Sequence, residues 1–284
     1  MLTRRPAVAI AATLLLGALA AIGLTAASPQ ARAATSVPRF DHIVLVMFEN
    51  KGSSQITASS APYFTSLATQ GARFTQSFGV THPSQPNYLA LFSGSTQGVV
   101  NDDCPKAFGG TNLGAQLIGA RLTFTGYSET MPSDGFTGCS SGTYARKHNS
   151  WVDFSNVPSA SNRTLAAFPT DFTRLPTVSF VTPNTCNDMH DCPVGTGNAW
   201  LQGHFDAYAQ WAKTHNSLLI VTFDEDDFTA VNQVYTAFVG AHVIPGAYSE
   251  KINHYNVLRT IEGAYGLAGI NNAAPLAPIL DIWS

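Results

Sequence analysis

Apolar and polar positions follow two different periods along the chain after residue 40. Several short, continuous apolar runs contain many β-branched residues and are typical of strands buried on both faces. These runs are at 43–47, 177–181 and 218–223, with weaker ones at 122–125 and 235–239. Stretches with helical character separate them, at 63–69, 88–92, 113–118, 198–214 and 256–265. Strands that alternate with helices predict a layered α/β/α domain with a mostly parallel central sheet.

The middle of the chain, about residues 95–165, differs in composition from the rest. It contains many Gly, Ser, Asn and Pro residues and few periodic segments. We expect it to form a cap or insertion rather than a separate core. No repeat or low-complexity linker follows residue 40, so we expect one domain over residues 34–284.

The first 33 residues have the pattern of a secretory signal peptide. Arg4 and Arg5 precede an apolar run over 7–27, and Ala31-Arg32-Ala33 fits a small-x-small cleavage site. One alternative is an uncleaved membrane anchor, because the run approaches spanning length. A twin-arginine signal matches less well, since proline and alanine follow the arginine pair. We expect a secreted, extracellular protein with no stable membrane anchor after cleavage.

Composition and charge narrow the function classes. With 45% hydrophobic and 12% charged residues, the chain is not intrinsically disordered. Cleavage after residue 33 would remove three arginines and no acid, leaving 12 basic and 18 acidic residues. The basic runs are confined to Arg4-Arg5 and Arg146-Lys147, so we expect no nucleic-acid partner. An excess of acid suits a metal-binding site better than a surface for an anionic partner.

The four cysteines fit an exported protein. Export leads to an oxidising compartment, where cysteines pair. Four cysteines permit three pairings, and we favour the sequential one, Cys104 with Cys139 and Cys186 with Cys192. Zinc ligation is the alternative, although no C-x-x-C motif is present.

Acidic residues follow two of the predicted buried strands. The first strand leads into Glu49-Asn50, and the late strand leads into Asp224-Glu225-Asp226-Asp227. Ligands of open parallel sheets bind beyond the carboxyl ends of the strands, and clustered acids there need a positive charge to offset them. Oxygen ligands of this kind predict a divalent-cation site. The alternative is a helix-start acid and a solvated turn.

A serine follows in a segment with two fixed backbone positions. In His82-Pro83-Ser84-Gln85-Pro86, the two prolines place Ser84 near a helix N-terminus, where free N–H groups and the helix dipole favour an anion. A hydroxyl there can ligate a metal, lose its proton and attack phosphorus. The alternative is that Ser84 only caps the helix.

The remaining candidates combine imidazole and carboxylate groups. Asp188 and His190 point the same way if their segment is extended, and suit a second metal or phosphate contacts. His254, at the start of the last helical stretch, and His148, after Arg146-Lys147, are further candidates. For each histidine the alternative is a hydrogen-bonded structural role.

Together these segments resemble the bacterial phosphoesterase family, which contains phospholipases C and acid phosphatases and has an alkaline-phosphatase-like core. The resemblance runs over roughly residues 40–268 in the family's order. The matching segments are Val46–Lys51, His82–Tyr88, Tyr144–Asn149, Asn187–His190, Thr222–Asp227 and His254–Glu262. Phe48 and Lys51 depart mildly from the usual Met and Arg. The chain is also shorter than the large phospholipases C and lacks their added β domains, which weakens the case for specialisation on membrane lipids.

The resemblance implies a role for each matched residue. One metal would be held by Glu49, Asn50, Asp224 and Glu225, with Ser84 as the nucleophile on it. A second metal or the transferred phosphoryl group would be held by Asp188, His190 and His254. Phosphate oxygens would be contacted by Asn87 and His148. The all-oxygen set suits Mg, Ca or Mn, and the set with histidines suits Zn or Fe, so we expect one or two divalent ions.

The expected activity is hydrolysis of phosphoric esters through a phosphoserine intermediate. We favour a phosphomonoesterase of the acid-phosphatase type, because the chain is short and has no evident lipid-binding module. A phospholipase C or phosphodiesterase on the same core is the main alternative. A non-catalytic binding protein is a remote one, and a serine hydrolase lacks the G-x-S-x-G motif around Ser84. The expected partner is a phosphate-ester substrate, and we expect a monomer.

Overall fold

The structure is a computed structural model that describes residues 1–3 and 35–284. The predicted signal peptide, apart from its first three residues, lies outside the described residues. In chain order the elements are β1 (His42–Phe48), α1 (Pro62–Gln70), β2 (Ala72–Phe78), α2 (Ser84–Ser93), α3 (Leu113–Gly119), β3 (Phe124–Ser128), β4 (Ser140–Ser141), β5 (Tyr144–Ala145), β6 (Asn162–Thr164), β7 (Val178–Thr182), α4 (Val194–Ala212), β8 (Ser217–Phe223), β9 (Gln233–Gly240), β10 (Gly246–Asn253) and α5 (His254–Ala264). Among these described residues, no helix is long and apolar enough to cross a bilayer.

Eight strands form one central sheet in the order β10-β2-β9-β8-β1-β7-β3-β6. All run parallel except β9, which is antiparallel to both of its neighbours. The register pairs β1 with β8 from His42 opposite Ser217 to Phe48 opposite Phe223. The residues that follow these two strands therefore emerge side by side at the carboxyl edge of the sheet.

Two apolar layers enclose the sheet. Alternate residues of β1 point to opposite faces, as the period of a strand requires. Ile43, Leu45 and Met47 pack in one cluster with α2, α3 and α5. The residues between them, such as Val44 and Val46, pack in a second cluster with α1 and α4. This arrangement confirms the predicted α/β/α fold with a mostly parallel sheet.

Three strands of the sheet, β2, the three-residue β6 and β10, were not expected from the sequence. β2 alternates apolar and polar residues, and β10 is an exposed edge strand with little apolar character. The expected cap over 95–165 also differs from the structure in extent. It includes β3 and β6 of the central sheet and α3 of one helical layer, so its irregular parts are mainly 95–112 and 129–161.

Both disulfides have the sequential pairing favoured above. Cys104 is bonded to Cys139 and Cys186 to Cys192. Every cysteine of the described residues is thus paired, which removes the alternative of zinc ligation. The first disulfide joins the irregular segments to each other, and the second closes the turns around Asp188.

Candidate active site

Ser84 is the first residue of α2 and is buried. The residue at the cap position is Pro83, and Ser84 makes no capping bond. Its hydroxyl lies 2.8 Å from Glu49 Oε2 and 3.2 Å from Glu225 Oε1. A hydroxyl has one proton to donate, so only one carboxylate oxygen can receive it at a time. The serine therefore faces carboxylates from two neighbouring strands.

Asn87 shapes the loop that precedes this serine. Its Oδ1 accepts from the backbone N–H groups of Val80 (2.8 Å) and Thr81 (3.1 Å). Its Nδ2 donates to the carbonyls of Thr81 (2.8 Å) and Pro83 (3.1 Å). The Asn87 side chain, which we expected to contact phosphate oxygens, thus stabilises residues 80–83, the loop that precedes the nucleophile and is called the nucleophile loop below.

Sheet register brings the strand-end acids together. The N–H of Asp224 donates to the carbonyl of Phe48 at 2.9 Å, and the N–H of Asn50 donates to Asp224 Oδ1 at 3.1 Å. Asn50 has a φ of 51°, a left-handed conformation that asparagine tolerates better than most residues. Glu49, Asp224 and Glu225 are all fully buried. In the structure these residues lie together at one edge of the sheet, as we expected from the ends of the two strands.

His148 lies between two of the buried acids. Its Nε2 is 3.2 Å from Glu49 Oε1, and its Nδ1 is 3.3 Å from Asp188 Oδ2. Glu49, His148 and Asp188 each offer one ligand atom, and these atoms lie within 4.8 Å of one another. The ring of Tyr88 stacks on the imidazole at 5.1 Å. His148, expected to bind phosphate, is therefore also placed to hold a cation.

Asp188 and His190 are not in an extended segment. Residues 185–188 form a turn and 189–192 are bends, and Met189 has a φ of 81°. Asp188 is fully buried, whereas the His190 side chain is 32% exposed, with Nδ1 2.7 Å from Asp191 Oδ1. The two rings of His148 and His190 are 6.1 Å apart. The disulfide that closes this short loop favours turns over extended backbone.

His254 has a different partner from the one expected. It is buried at the start of α5, and its Nε2 is 2.5 Å from the carbonyl oxygen of Asp224. It therefore supports the backbone that carries the Asp224 carboxylate. In residues 35–284 the trio of possible ligands is Glu49, His148 and Asp188, not Asp188, His190 and His254. The ligand grouping thus differs from the expected one.

Burial disfavours the charged form of four side chains in this cluster. Burial, and next the charge of Glu49, raise the pKa of Asp224 well above its usual range. Burial raises the pKa of Asp188 to about 8 and that of Glu225 to about 7. It also lowers the pKa of the His148 imidazole to about 4. Without an added positive charge, the cluster holds protons that ordinary carboxylates would lose.

The residues present fit a bound cation. Several buried polar atoms at this site have no hydrogen-bond partner, which is costly unless something else satisfies them. They are Glu49 Oε1, Asn50 Oδ1, His148 Nε2, Asp188 Oδ2 and Asp224 Oδ2. Carboxylate and amide oxygens with one imidazole are the ligands that divalent metals take in proteins.

Sequence reasoning missed two residues at this site. His82 Nδ1 lies 2.5 Å from Glu225 Oε2, and its Nε2 lies 3.0 Å from the Thr229 carbonyl. Burial opposes its charge, but these bonds raise the pKa of the imidazole. Lys147 Nζ forms an ion pair with Asp102 at 2.7 Å. In the sequence His82 lies two residues before Ser84, and Lys147 directly precedes His148. This proximity to predicted site residues was the signal that could have identified them.

Comparison with known proteins first establishes the class of fold. A protein of the alkaline phosphatase superfamily from Vibrio parahaemolyticus matches with a TM-score of 0.63 and 15% identity, over 87% of this chain and 72% of that one. The lipoteichoic acid synthase of Listeria monocytogenes matches with a TM-score of 0.58 and 10% identity, over 87% of this chain and 77% of that one. At these identities the likeness concerns the fold alone, which the chain shares with a protein of the alkaline phosphatase superfamily.

The sequence then establishes the family. Residues 52–268 match the model of the Phosphoesterase family, and the chain belongs to that family. It is 51% identical to a phosphatidylinositol-3-phosphatase of Mycobacterium tuberculosis, over 94% of each chain. It is 29% identical to an acid phosphatase of Aspergillus fumigatus, over 76% of this chain and 53% of the fungal one. The predicted family is confirmed, and the chain is a hydrolase of phosphoric esters.

Proposed function

We propose that the chain is a secreted, metal-dependent phosphomonoesterase that uses Ser84 as its nucleophile. The observation that carries this proposal is the buried Ser84 hydroxyl at the start of α2, within reach of Glu49 and Glu225. The predicted signal peptide and the two disulfides support export. Family membership supplies the chemistry, phosphoester hydrolysis.

The unpartnered oxygens support one or two divalent ions. Glu49, Asn50, Asp224 and Glu225 would hold one beside Ser84, and His148 with Asp188 would serve a second. The oxygen set suits Mg, Ca or Mn, while the imidazole favours Zn or Fe. A divalent cation bound here supplies positive charge that promotes ionisation of a hydroxyl and offsets the charge of a phosphoryl group.

The protein's own groups account for the proton and bond changes. Ser84 Oγ passes its proton to Glu49 Oε2, 2.8 Å away, and forms a bond to phosphorus while the ester oxygen departs. The N-terminus of α2 favours negative charge at this position. His190, at the partly exposed mouth of the site, donates a proton to the departing oxygen. Water then attacks the phosphoserine, Ser84 regains its proton, and phosphate is released.

Relatives guide the choice of substrate. Those described above are phosphatases by name, which supports a monoester over a diester. The 51% identity to a phosphatidylinositol-3-phosphatase points to a lipid-borne phosphomonoester, such as a phosphoinositide. The short chain led us to expect no specialisation on membrane lipids, and a lipid-borne substrate departs from that expectation. A phospholipase C activity on the same core remains the second candidate.

A substrate comparison on stripped and metal-loaded protein tests the proposal. Purified mature protein is treated with EDTA, supplied with Mg²⁺, Mn²⁺, Ca²⁺ or Zn²⁺, and assayed on nitrophenyl phosphate and nitrophenyl phosphorylcholine. We expect metal-restored activity that favours the monoester by at least about a hundredfold. A dominant diester rate would instead support the phospholipase C, and full activity after metal removal would contradict metal dependence.

The nucleophile is tested with two serines of one helix. Ser84→Ala should lower kcat/KM by at least about 10³-fold, because no other group replaces the attacking oxygen. Ser93→Ala is the matched control, since Ser93 is also buried in α2 but bonds to the Leu89 carbonyl. We expect the control to keep its activity. Equal rates for Ser84→Ala and the unmodified protein would refute the assignment.

A further inference from the structure

Large apolar side chains protrude around the mouth of the site. Within residues 35–284, four such side chains are exposed: Val100 (79%), Phe228 (64%), Val231 (63%) and Ile118 (38%). Three of them stand on two loops that border Ser84. Ile118 is different, because it lies at the end of α3 that leads towards the start of β3, at the opposite edge of the sheet. The exposed apolar residues are therefore concentrated on the face with the site.

The first loop, residues 226–232, continues directly from Glu225. Its Phe228 stacks on the ring of His82 at 4.9 Å, and His82 in turn bonds to Glu225. Val231, three residues further on, borders a surface cavity of about 410 Å³ with Gly79 and Lys251. These contacts place both apolar side chains beside the nucleophile loop.

The second loop carries Val100 on the side of α2. Two residues later, Asp102 Oδ1 accepts from the backbone N–H of Gln85 at 2.9 Å, next to Ser84. Its Oδ2 is paired with Lys147 at 2.7 Å, next to His148. These two contacts of Asp102 hold the loop with Val100 close to Ser84 on one side and to His148 on the other.

The loop of Phe228 is fixed in the form that exposes these residues. The N–H of Thr229 donates to Asp226 Oδ1 at 2.8 Å, and Asn232 accepts from the N–H of Asp226 at 2.9 Å. Asn232 also donates to the Thr81 carbonyl at 2.9 Å. Phe228 itself has a φ of 65°, a costly conformation for a bulky residue that persists only where its surroundings determine it. The hydrogen bonds of the loop therefore hold the Phe228 ring in its exposed position.

We propose that Val100, Phe228 and Val231 dock this face onto the surface of a phospholipid bilayer, so that Ser84 meets lipid-borne phosphate esters. The inference rests on the proposed function, in which the substrate is such an ester. Clustered exposed apolar side chains mark interaction sites on protein surfaces, and a substrate held in a bilayer requires the enzyme to work at its surface. Asp227 is exposed on the same loop, so docking is apolar and does not depend on anionic lipid.

Vesicle binding tests docking separately from catalysis. The protein is mixed with phosphatidylcholine vesicles that contain no phosphomonoester, and the bound fraction is measured by flotation. We expect binding that changes little between about 0.05 M and 0.5 M salt, since salt screens charges and not apolar contacts. The double variant Val100→Ser/Val231→Ser should partition about 100-fold less, because each valine contributes about tenfold.

Two controls make the result specific. Ile118→Ser removes an exposed apolar residue away from the site and should bind vesicles as the unmodified protein does. Phe228 is left unchanged, because its ring contacts His82. All variants should hydrolyse soluble nitrophenyl phosphate at the same rate, while the double variant loses rate on a vesicle-borne phosphomonoester.

The outcomes separate docking from the proposed function. Docking is refuted if the unmodified protein does not bind the vesicles, if the double variant binds as well as it does, or if binding requires anionic lipid and disappears in salt. The proposed function fails if the unmodified protein releases no phosphate from the soluble ester. That result is independent of the vesicle measurement.

Discussion

Replacing Arg146 with methionine tests how the irregular residues before His148 are held in place. The guanidinium is buried and donates to Asp153 Oδ1 from Nε at 3.1 Å and from Nη2 at 2.9 Å. It also donates to the carbonyls of Thr137 (2.6 Å) and Lys106 (3.1 Å). The Arg146 side chain, two residues before His148, thus joins the segments that contain Lys106, Thr137 and Asp153.

The expected cost follows from what the substitution leaves behind. Asp153 is 1% exposed, and burial raises its pKa to about 6 even with the arginine present. Removing one partner of a buried ion pair typically costs about 3–5 kcal/mol, and Arg146→Met should lower the free energy of unfolding by this amount. That is a large part of the roughly 5–15 kcal/mol that stabilises a domain.

The cost should also depend on pH. A buried acid with a raised pKa binds its proton more tightly in the folded state, so its contribution to stability falls as pH rises through that pKa. Without Arg146, the pKa of Asp153 rises further and the fall extends to higher pH. The difference between variant and unmodified protein should therefore be smaller at pH 5 than at pH 8.

Urea unfolding at both pH values provides the assay. Arg163→Met is the matched control, since Arg163 pairs with Asp134 at 2.8 Å but both side chains are more than 40% exposed. An exposed pair contributes about 0–1 kcal/mol. The double variant Arg146→Met/Asp153→Leu should recover part of the loss, because it removes the unpaired charge. Equal small costs for the two arginines, or a cost that ignores pH, would refute the reasoning.

Two further predictions concern stability away from the site. Burial raises the pKa of Glu262 to about 7, so the stability of the unmodified protein should fall by about 1–3 kcal/mol, relative to Glu262→Gln, as pH rises from 5 to 8. Parallel unfolding curves for the two at both pH values would contradict this. At Gly126, an added Cβ would lie 2.0 Å from Trp151, so Gly126→Ala should cost about 3 kcal/mol in urea unfolding. Gly119→Ala, whose Cβ meets nothing within 4 Å, should not destabilise, and equal midpoints for the two alanine variants would count against the close packing.

The parts of the fold predicted from sequence are those buried on both faces. β1, β7 and β8 lie in the middle of the sheet and are buried along nearly their whole length, so their apolar runs are continuous. β10 has one edge unpaired and most of its residues exposed, so its sequence carries little strand signal. Burial, more than strand propensity, decided what could be predicted.

The site was predictable where regular structure places it. Glu49 and Asp224 follow adjacent parallel strands, and register alone brings them together. His148 follows two short strands and irregular turns, and Asp188 lies in a disulfide-closed loop. Their distances to Glu49 depend on tertiary contacts such as those of Arg146, which no local pattern encodes. Residue types were therefore predictable, while the grouping of Glu49, His148 and Asp188 was not.

The close placement of buried acidic side chains at this site has an energetic cost. Strand register places Glu49, Asp224 and Glu225 in a buried position, and the turns add Asp188. Burial raises the pKa values of Asp188, Asp224 and Glu225. His82 makes a short contact with Glu225, and this bond raises the pKa of the imidazole against the opposing effect of burial. The unpartnered oxygens that remain have no such counterpart among the described side chains. The fold therefore concentrates acids where only a cation can stabilise their charged form, which is the electrostatic setting that the proposed phosphoryl transfer from substrate to Ser84 requires.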